Sequence, residues 1–240
     1  MSDALAPLGP LATGLALLIR LHDREADAPL IEGLRESDAA GLFAALIDGP
    51  APSELGRALA ALPRPVDAAT LDLLAAEYAD VYLTHGYRIA PTGSVWLTEE
   101  KLERQEPMFA VREWYEHYGL SVPEWRIRPD DHIVHELQFV AHLLTLGTEG
   151  AARDAARFMD RHILVWMPHF LALMAERCEQ PFYVAVARLS GAYLETLRDA
   201  LEQITSEPRW VPDEGEAVVP YSLRELEQDV AYMPGVSESW

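Results

Sequence analysis

The sequence predicts an all-α fold, and three observations support this prediction. Apolar residues recur every three or four positions over long stretches, which is the period of an amphipathic helix. No stretch shows sustained alternation of apolar and polar residues, and no Asn-Gly or Asp-Gly turn joins two strand-like runs. Prolines and glycines divide the 240 residues into segments of helical length. We therefore expect one bundle-like domain of roughly ten helices.

The N-terminal third predicts several short helices separated by prolines. Residues 11–21 are mostly apolar, with no basic residues before them and no small-residue cleavage site after them. This favours a first amphipathic helix over a signal peptide. Prolines at 50 and 52 separate an early helix from one that ends near Leu62, where Pro63 follows.

Three later helices follow from apolar stripes, which lie within residues 67–85, 133–144 and 186–204. Thr98, with acidic residues after it, has the sequence of an N-cap, so a further helix is expected to start there. Pro129 suits the first position of the helix that carries the second stripe.

The chain divides into a helical part, residues 1–207, and a segment rich in proline, glycine and acidic residues, 208–240. We expect the second part to be a mostly irregular acidic tail, with one short helical segment at 222–229. The proline-bearing connection at 119–128 is either a hinge between two helical subdomains or a bend within one bundle.

Composition excludes several classes of function. The formal net charge of -20 argues against nucleic-acid partners and favours basic partners such as a cationic peptide. No apolar run is long enough to cross a bilayer, so we expect a cytoplasmic protein without stable membrane insertion. The single cysteine, Cys178, excludes a disulfide framework and a multi-cysteine metal site, and a structural thiol is expected.

The densest polar cluster lies at 130–142, and three interpretations of it remain open. It is a helix start whose acidic residues complement the helix dipole, a metal site, or a recognition site whose carboxylates accept an arginine fork. For a metal, His132 and His135 share a helix face with Glu136, but the spacing is not His-Glu-x-x-His. No nucleophile–base pair, phosphate loop or dinucleotide turn is visible, so we predict no catalytic residue, metal or cofactor. The members of this cluster are Asp130, Asp131, His132, His135, Glu136 and His142.

Three segments of the chain resemble the TorD/DmsD family of redox-enzyme maturation chaperones. They are Glu77–Leu83, which ends a helix in aromatic residues; Pro91–Trp96, a proline loop ending in Ser-Val-Trp; and Arg128–Phe139, in which Asp-His precedes Glu-Leu and an aromatic residue. The loop departs from the commoner Pro-Pro-Tyr-Glu-Ser pattern, since Thr92 and Gly93 replace its Tyr-Glu pair. Trp96 is expected either to form an exposed contact or to pack under the loop.

The resemblance implies an all-helical chaperone, not an enzyme, that binds the twin-arginine signal peptide of a molybdoenzyme of the DMSO reductase superfamily. Such a chaperone delays export of the catalytic subunit and assists cofactor insertion. The client, any bound nucleotide or molybdenum cofactor, and the choice between a monomer and a domain-swapped homodimer stay open. The peptide-binding positions implied are Tyr82, Pro91, Ser94, Trp96, Asp131 and His132, completed by Glu136.

Two alternatives compete with the chaperone hypothesis. One is a metal-dependent helical enzyme that uses His132, His135 and Glu136. The other is an assembly factor of the NarJ type, which binds a subunit that is not exported.

Overall fold

The computed structural model describes residues 6–84 and 86–210, and this part of the chain confirms the all-α prediction. It contains eleven α-helices and no strand. The helices are α1 (Leu8–Asp23), α2 (Ala28–Glu36), α3 (Ala39–Ala44), α4 (Ala51–Ala61), α5 (Ala68–Tyr82), α6 (Gly93–Leu97), α7 (Glu106–His117), α8 (Ile133–Thr145), α9 (Glu149–Phe158), α10 (Met167–Arg177) and α11 (Pro181–Thr205). A π-helical turn, Met159–Ile163, continues α9.

The longest helix, α11, organises the core. Its 25 residues present a stripe that includes Leu189, Tyr193 and Leu197, each fully buried, as the apolar spacing predicts. Helices α1, α4, α9 and α10 pack against it. Helix α1 also packs against α8, so elements from both sides of the 119–128 connection share one core. The division of the chain into domains stays a prediction.

Side chains at the helix starts supply the hydrogen bonds that the first turn leaves open. Asp27 Oδ1 accepts a 2.8 Å hydrogen bond from the Leu30 N–H at the start of α2. Asp67 caps α5 in the same way, through the Thr70 N–H at 2.8 Å.

The prediction that Pro129 occupies the first position of α8 is wrong. The helix begins at Ile133, with His132 as its N-cap. Residues 129–132 instead form a turn, closed by a hydrogen bond from the His132 N–H to the Pro129 carbonyl. His132 is held in an extended conformation because it forms an antiparallel bridge with Thr92, which delays the start of the helix by four residues.

The predicted helix start near Thr98 is also wrong. Thr98 is extended and follows the end of α6, and its hydroxyl donates to the Ser94 carbonyl at 2.8 Å instead of accepting a backbone N–H from a following helical turn. Lys101 and Arg104 then have φ angles of 56° and 63°, which no right-handed helix contains. The next helix, α7, begins at Glu106.

Among the described residues, no helix combines the length and the apolar character that crossing a membrane requires. Cys178 follows the end of α10 and is buried, and burial raises the pKa of its thiol, as a structural role requires.

The chain after α11 is fastened to a buried ion pair. Arg198 Nε and Nη2 donate to the two carboxylate oxygens of Asp160 at 2.7 and 2.8 Å, and both side chains are almost completely buried. The Trp210 N–H donates to the same carboxylate, and the Glu207 carbonyl accepts from Arg198. Residues 208–210 are irregular. The rest of the predicted tail, 211–240, with the helical segment at 222–229, lies outside the described residues.

We expect the Asp160–Arg198 pair to show the behaviour of a buried ion pair under mutation. Arg198→Met alone should lower the free energy of unfolding by about 3 kcal/mol, because the Asp160 carboxylate would remain buried without its cation. The double variant Asp160→Leu/Arg198→Met should recover much of this loss. Urea unfolding followed by circular dichroism measures the two single variants, Asp160→Leu and Arg198→Met, and the double variant. Equal losses for the double variant and the sum of the two single variants would show that the pair is not coupled.

Candidate functional site

The site is built where the connection between α5 and α7 meets the N-terminus of α8. Thr92 and His132 form an isolated antiparallel bridge. The Gly93 N–H donates to the Asp131 carbonyl at 2.9 Å, and the Ile133 N–H donates to the Pro91 carbonyl at 2.9 Å. This bridge places the proline loop directly on the Asp-His sequence, so two of the motif segments form one structural unit.

The carboxylate of Asp131 is the centre of this junction and has no solvent exposure. Its Oδ2 accepts hydrogen bonds from the N–H of Ser94 at 2.6 Å and from the hydroxyl of Ser94 at 2.5 Å. Its Oδ1 has no hydrogen-bond partner within residues 6–84 and 86–210. Burial raises the pKa of Asp131, and the two Ser94 bonds oppose that rise.

Asp130, next in the chain, already holds an arginine. Arg112 donates to both carboxylate oxygens of Asp130, at 3.3 Å from Nε and 2.9 Å from Nη2. The guanidinium also lies over the rings of Phe109 and Trp125, at 5.4 and 4.8 Å from their centroids. The Tyr115 hydroxyl fixes the Asp130 backbone by donating to its carbonyl at 2.9 Å.

Glu136 faces the interior, one turn into α8. Its Oε2 accepts a hydrogen bond from the indole Nε1 of Trp166 at 3.1 Å. Burial, followed by the nearby carboxylate of Asp131, raises the pKa of Glu136 well above its ordinary value. Gly93 lies against the other side of the same indole: a Cβ at this position would approach Trp166 Nε1 to 3.1 Å. A side chain at this position would therefore have to displace the indole by a few tenths of an ångström.

Tyr82 closes the cluster from α5 and is joined to a buried histidine. His22 Nδ1 lies 2.5 Å from the Tyr82 hydroxyl, and its Nε2 lies 2.8 Å from Ser190 Oγ. Since Ser190 donates its own proton to the Val186 carbonyl, His22 carries its proton on Nε2 and accepts from Tyr82. Burial lowers the pKa of His22 to about 4.

Aromatic contacts connect the remaining predicted residues. The rings of Tyr82 and Trp96 both meet Phe170 of α10 edge-on, with centroids 6.2 and 6.4 Å apart. The Trp96 indole donates to the Ala90 carbonyl at 2.7 Å, so of its two expected placements the structure shows the packed one.

The geometry does not support the metal interpretation. His132 Nδ1 accepts the Val134 N–H at 3.2 Å, His135 Nδ1 lies 2.8 Å from the Pro129 carbonyl, and Glu136 is turned towards Trp166. In the described part of the chain, no group of three or more His, Cys, Asp or Glu side chains is arranged to hold a metal ion.

The structure thus brings all seven predicted binding residues together and leaves every one of them buried: Tyr82, Pro91, Ser94, Trp96, Asp131, His132 and Glu136. Sequence reasoning missed four residues that hold this cluster, His22, Arg112, Trp166 and Phe170. Each reaches the cluster through a contact distant in sequence, such as the 30-residue separation of Glu136 and Trp166. Their helical stripes gave no signal beyond core packing.

Comparison with known proteins shows which family and which relatives this chain is similar to. Residues 48–172, just over half of the chain, match the family model described as the nitrate reductase delta subunit. The Chaperone protein TorD of Vibrio cholerae serotype O1 is 30% identical over 147 residues, which cover 56% of this chain and 64% of that protein. The match thus spans less than two thirds of that relative. The Chaperone protein TorD of Shewanella loihica is 28% identical over 193 residues, 77% of this chain and 90% of that protein.

The buried His22 predicts a measurable pH dependence of stability. Its pKa is lower in the folded state than the ordinary 6.5, so the unfolded chain binds this proton more readily. Neutral His22 therefore contributes to the free energy of unfolding, and this contribution is fully present above pH 6.5. It is lost as the pH falls from 6.5 towards 4, which lowers the free energy of unfolding by about 3 kcal/mol. His22→Gln can hydrogen bond to Tyr82 and Ser190 but does not titrate. Urea unfolding at several pH values should give a smaller slope for the variant than for the wild type, and equal slopes would contradict this assignment.

Proposed function

Because this chain belongs to the TorD family of molybdoenzyme maturation chaperones, we propose that it binds the twin-arginine signal peptide of a molybdoenzyme precursor in the cytoplasm. The client is a catalytic subunit of the DMSO reductase superfamily. Binding delays export of that subunit until its cofactor has been inserted, and assists the insertion. The chain performs no turnover of its own.

The observation that supports this proposal most directly is the pair of adjacent carboxylates, Asp130 and Asp131. Asp130 already binds a guanidinium through two parallel hydrogen bonds, which is the geometry that an arginine side chain of a leader would use. Asp131 accepts two donors on a single oxygen. Asp130 thus shows how this part of the molecule orients a guanidinium, and Asp131, whose Oδ1 has no hydrogen-bond partner in the described part of the chain, is the acceptor that an arginine of the leader would use.

Three exposed apolar side chains on segments near these carboxylates suit the apolar stretch that follows the arginines in such a leader. Phe109 and Ile127 are 45% and 78% exposed, and Leu102 is 58% exposed. Phe109 contacts Arg112, the partner of Asp130, and Arg104 joins the Leu102 segment to the Ile127 segment by donating to the Arg126 carbonyl at 2.7 Å. Burying apolar area contributes roughly 25 cal/mol per Å², so these side chains would supply a large share of the affinity. The net charge of -20 favours approach of a cationic peptide.

A second candidate function follows from the matched family description. An assembly factor that binds a non-exported subunit is consistent with a match to the nitrate reductase delta subunit. Removing the leader from the client separates the two functions, because an assembly factor would still bind the truncated subunit.

We expect Asp131→Asn to weaken binding of a synthetic twin-arginine leader peptide by about tenfold or more, because a charge-assisted hydrogen bond contributes about 1.5–3 kcal/mol. The amide oxygen can still accept the Ser94 bonds, so the variant should remain folded. Isothermal titration calorimetry measures the affinity, and a thermal melt measures the stability.

The matched control is Asp160→Asn, which makes the same chemical change at a buried carboxylate outside the site. It should lower the melting temperature and leave the Kd of the folded protein unchanged. If Asp131→Asn reduced stability and affinity to the same extent as Asp160→Asn, the role of Asp131 would be structural.

A further inference from the structure

We propose that the segment around α6, residues 89–100, is an autoinhibitory lid in which Ser94 occupies the carboxylate oxygen that an arginine of the client must reach. The inference rests on the proposed function and describes the regulation of the same site. In the structure described above, the lid is closed.

The first observation is that Asp131 is blocked by the protein's own donors. Its carboxylate has no exposure, and the N–H and hydroxyl of Ser94 converge on one of its oxygens at 2.6 and 2.5 Å. Both donors bind Oδ2, so this oxygen is not available for the second hydrogen bond of a guanidinium fork. The Gln105 N–H donates to the Ser94 hydroxyl oxygen at 3.2 Å and orients its proton towards Asp131. A peptide arginine therefore cannot bind both oxygens of Asp131 until Ser94 leaves, although Oδ1 has no partner within the described residues.

The second observation is that unfavourable backbone conformations border the segment on both sides. Arg88 has a φ of 54°, and Lys101 and Arg104 have φ angles of 56° and 63°. Side chains other than glycine rarely adopt this left-handed region, and such residues concentrate at segments that switch between states. Rotation about these positions moves the segment between them and also relieves strain.

The third observation is that hydrogen bonds within the segment hold its residues together, while Tyr87, which precedes it, is held by the rest of the protein. The Trp96 indole donates to the Ala90 carbonyl, and the Thr98 hydroxyl donates to the Ser94 carbonyl, so the segment can move as one piece. Just before Arg88, Tyr87 is fixed because its hydroxyl donates to Glu77 at 3.1 Å and its carbonyl accepts from Arg177. Motion therefore starts at Arg88, and opening also breaks the two backbone hydrogen bonds of the bridge, from Gly93 to the Asp131 carbonyl and from Ile133 to the Pro91 carbonyl.

The residues on which the lid packs are apolar and suit the apolar stretch that follows the arginines of the leader. Gly93 rests on the indole of Trp166, and Trp96 rests on Phe170. Both Trp166 and Phe170 are fully buried in the closed state. Opening would uncover these two aromatic rings beside the freed carboxylate of Asp131, which together suit an arginine followed by apolar side chains.

The exchange of donors favours the client at Asp131 and not at Asp130. Replacing the neutral Ser94 donors by a guanidinium pairs the buried carboxylate with a positive charge. Replacing Arg112 at Asp130 exchanges one guanidinium for another and gains nothing. Asp131 is therefore the position at which binding of the leader and opening of the lid are coupled.

If Ser94 closes a lid, its replacement should increase the affinity for the peptide. If Ser94 contacts the peptide directly, the same replacement should decrease that affinity. Apparent affinity equals the intrinsic affinity multiplied by the open fraction, so weakening the closed state strengthens binding. Ser94→Ala removes one of the two donors and should bind a synthetic twin-arginine leader peptide about tenfold more tightly than the wild type. Hydrogen exchange of the amides in residues 91–98, followed by mass spectrometry without peptide, should be faster in this variant.

The matched control lies in the same segment. The Thr92 hydroxyl is buried and has no hydrogen-bond partner in the described part of the chain. Thr92→Val keeps the shape and removes this unsatisfied group, so it should not open the lid or increase affinity. Ser94→Cys keeps the volume and weakens the donor, and it should shift affinity in the same direction as Ser94→Ala, which provides a second test if the alanine variant does not fold.

The outcomes separate the lid from the function on which it rests. If the wild type binds the peptide and the two Ser94 variants bind no more tightly, the lid is overturned and the chaperone function stands. Weaker binding by Ser94→Ala would have the same meaning, because Ser94 would then contact the leader directly. If neither the wild type nor the variants bind the twin-arginine peptide, the proposed function fails and the lid fails with it.

Discussion

The short bridge between residues 92 and 132 is the constraint on which the rest of the site depends. It holds an irregular segment against the first turn of α8 by backbone hydrogen bonds, and so it determines where that helix can begin. His132 becomes the N-cap because its backbone is committed to the bridge. Asp131 and Glu136 then point inward, and each must find its hydrogen-bond donors within the protein.

The interior solves this problem with a separate donor for each carboxyl group. The indole of Trp166 donates to Glu136, whereas the hydroxyl of Ser94 donates to Asp131. Burial raises the pKa of both carboxyl groups, because charged groups are disfavoured away from water. Neutral His22 connects Tyr82 to Ser190 without adding charge. The site is therefore polar in its contacts, and within the described residues Asp131 Oδ1 keeps no hydrogen-bond partner.

Local sequence patterns were sufficient to predict most helices and a set of residues that lie together in the structure, but not the contacts among those residues. The stripe that became α11 needed no tertiary information, because its period alone determines which face is buried. The helix starts predicted at Thr98 and Pro129 were wrong because tertiary or preceding contacts outweighed the local signals. The Thr98 hydroxyl donates to the carbonyl of Ser94, which precedes it, and His132, which follows Pro129, forms the bridge with Thr92. The resemblance at the Asp-His motif predicted residues that the structure brings into one cluster, and their role in binding stays a prediction. That Ser94 covers Asp131 depends on a contact across 37 residues, which no local pattern encodes.

A covered carboxylate also explains how so acidic a chain could remain selective. With 39 acidic residues, exposed carboxylates would attract any cationic peptide, and charge alone distinguishes poorly between partners. A ligand that supplies only charge would have to displace Ser94 and leave Trp166 and Phe170 exposed to water. A ligand that supplies only apolar groups would leave Asp131 without a donor, at the cost of an unpaired buried charge. Only a peptide that carries both an arginine and an adjacent apolar stretch satisfies the open site. The closed lid would therefore allow tight binding only when both features are present in the same peptide.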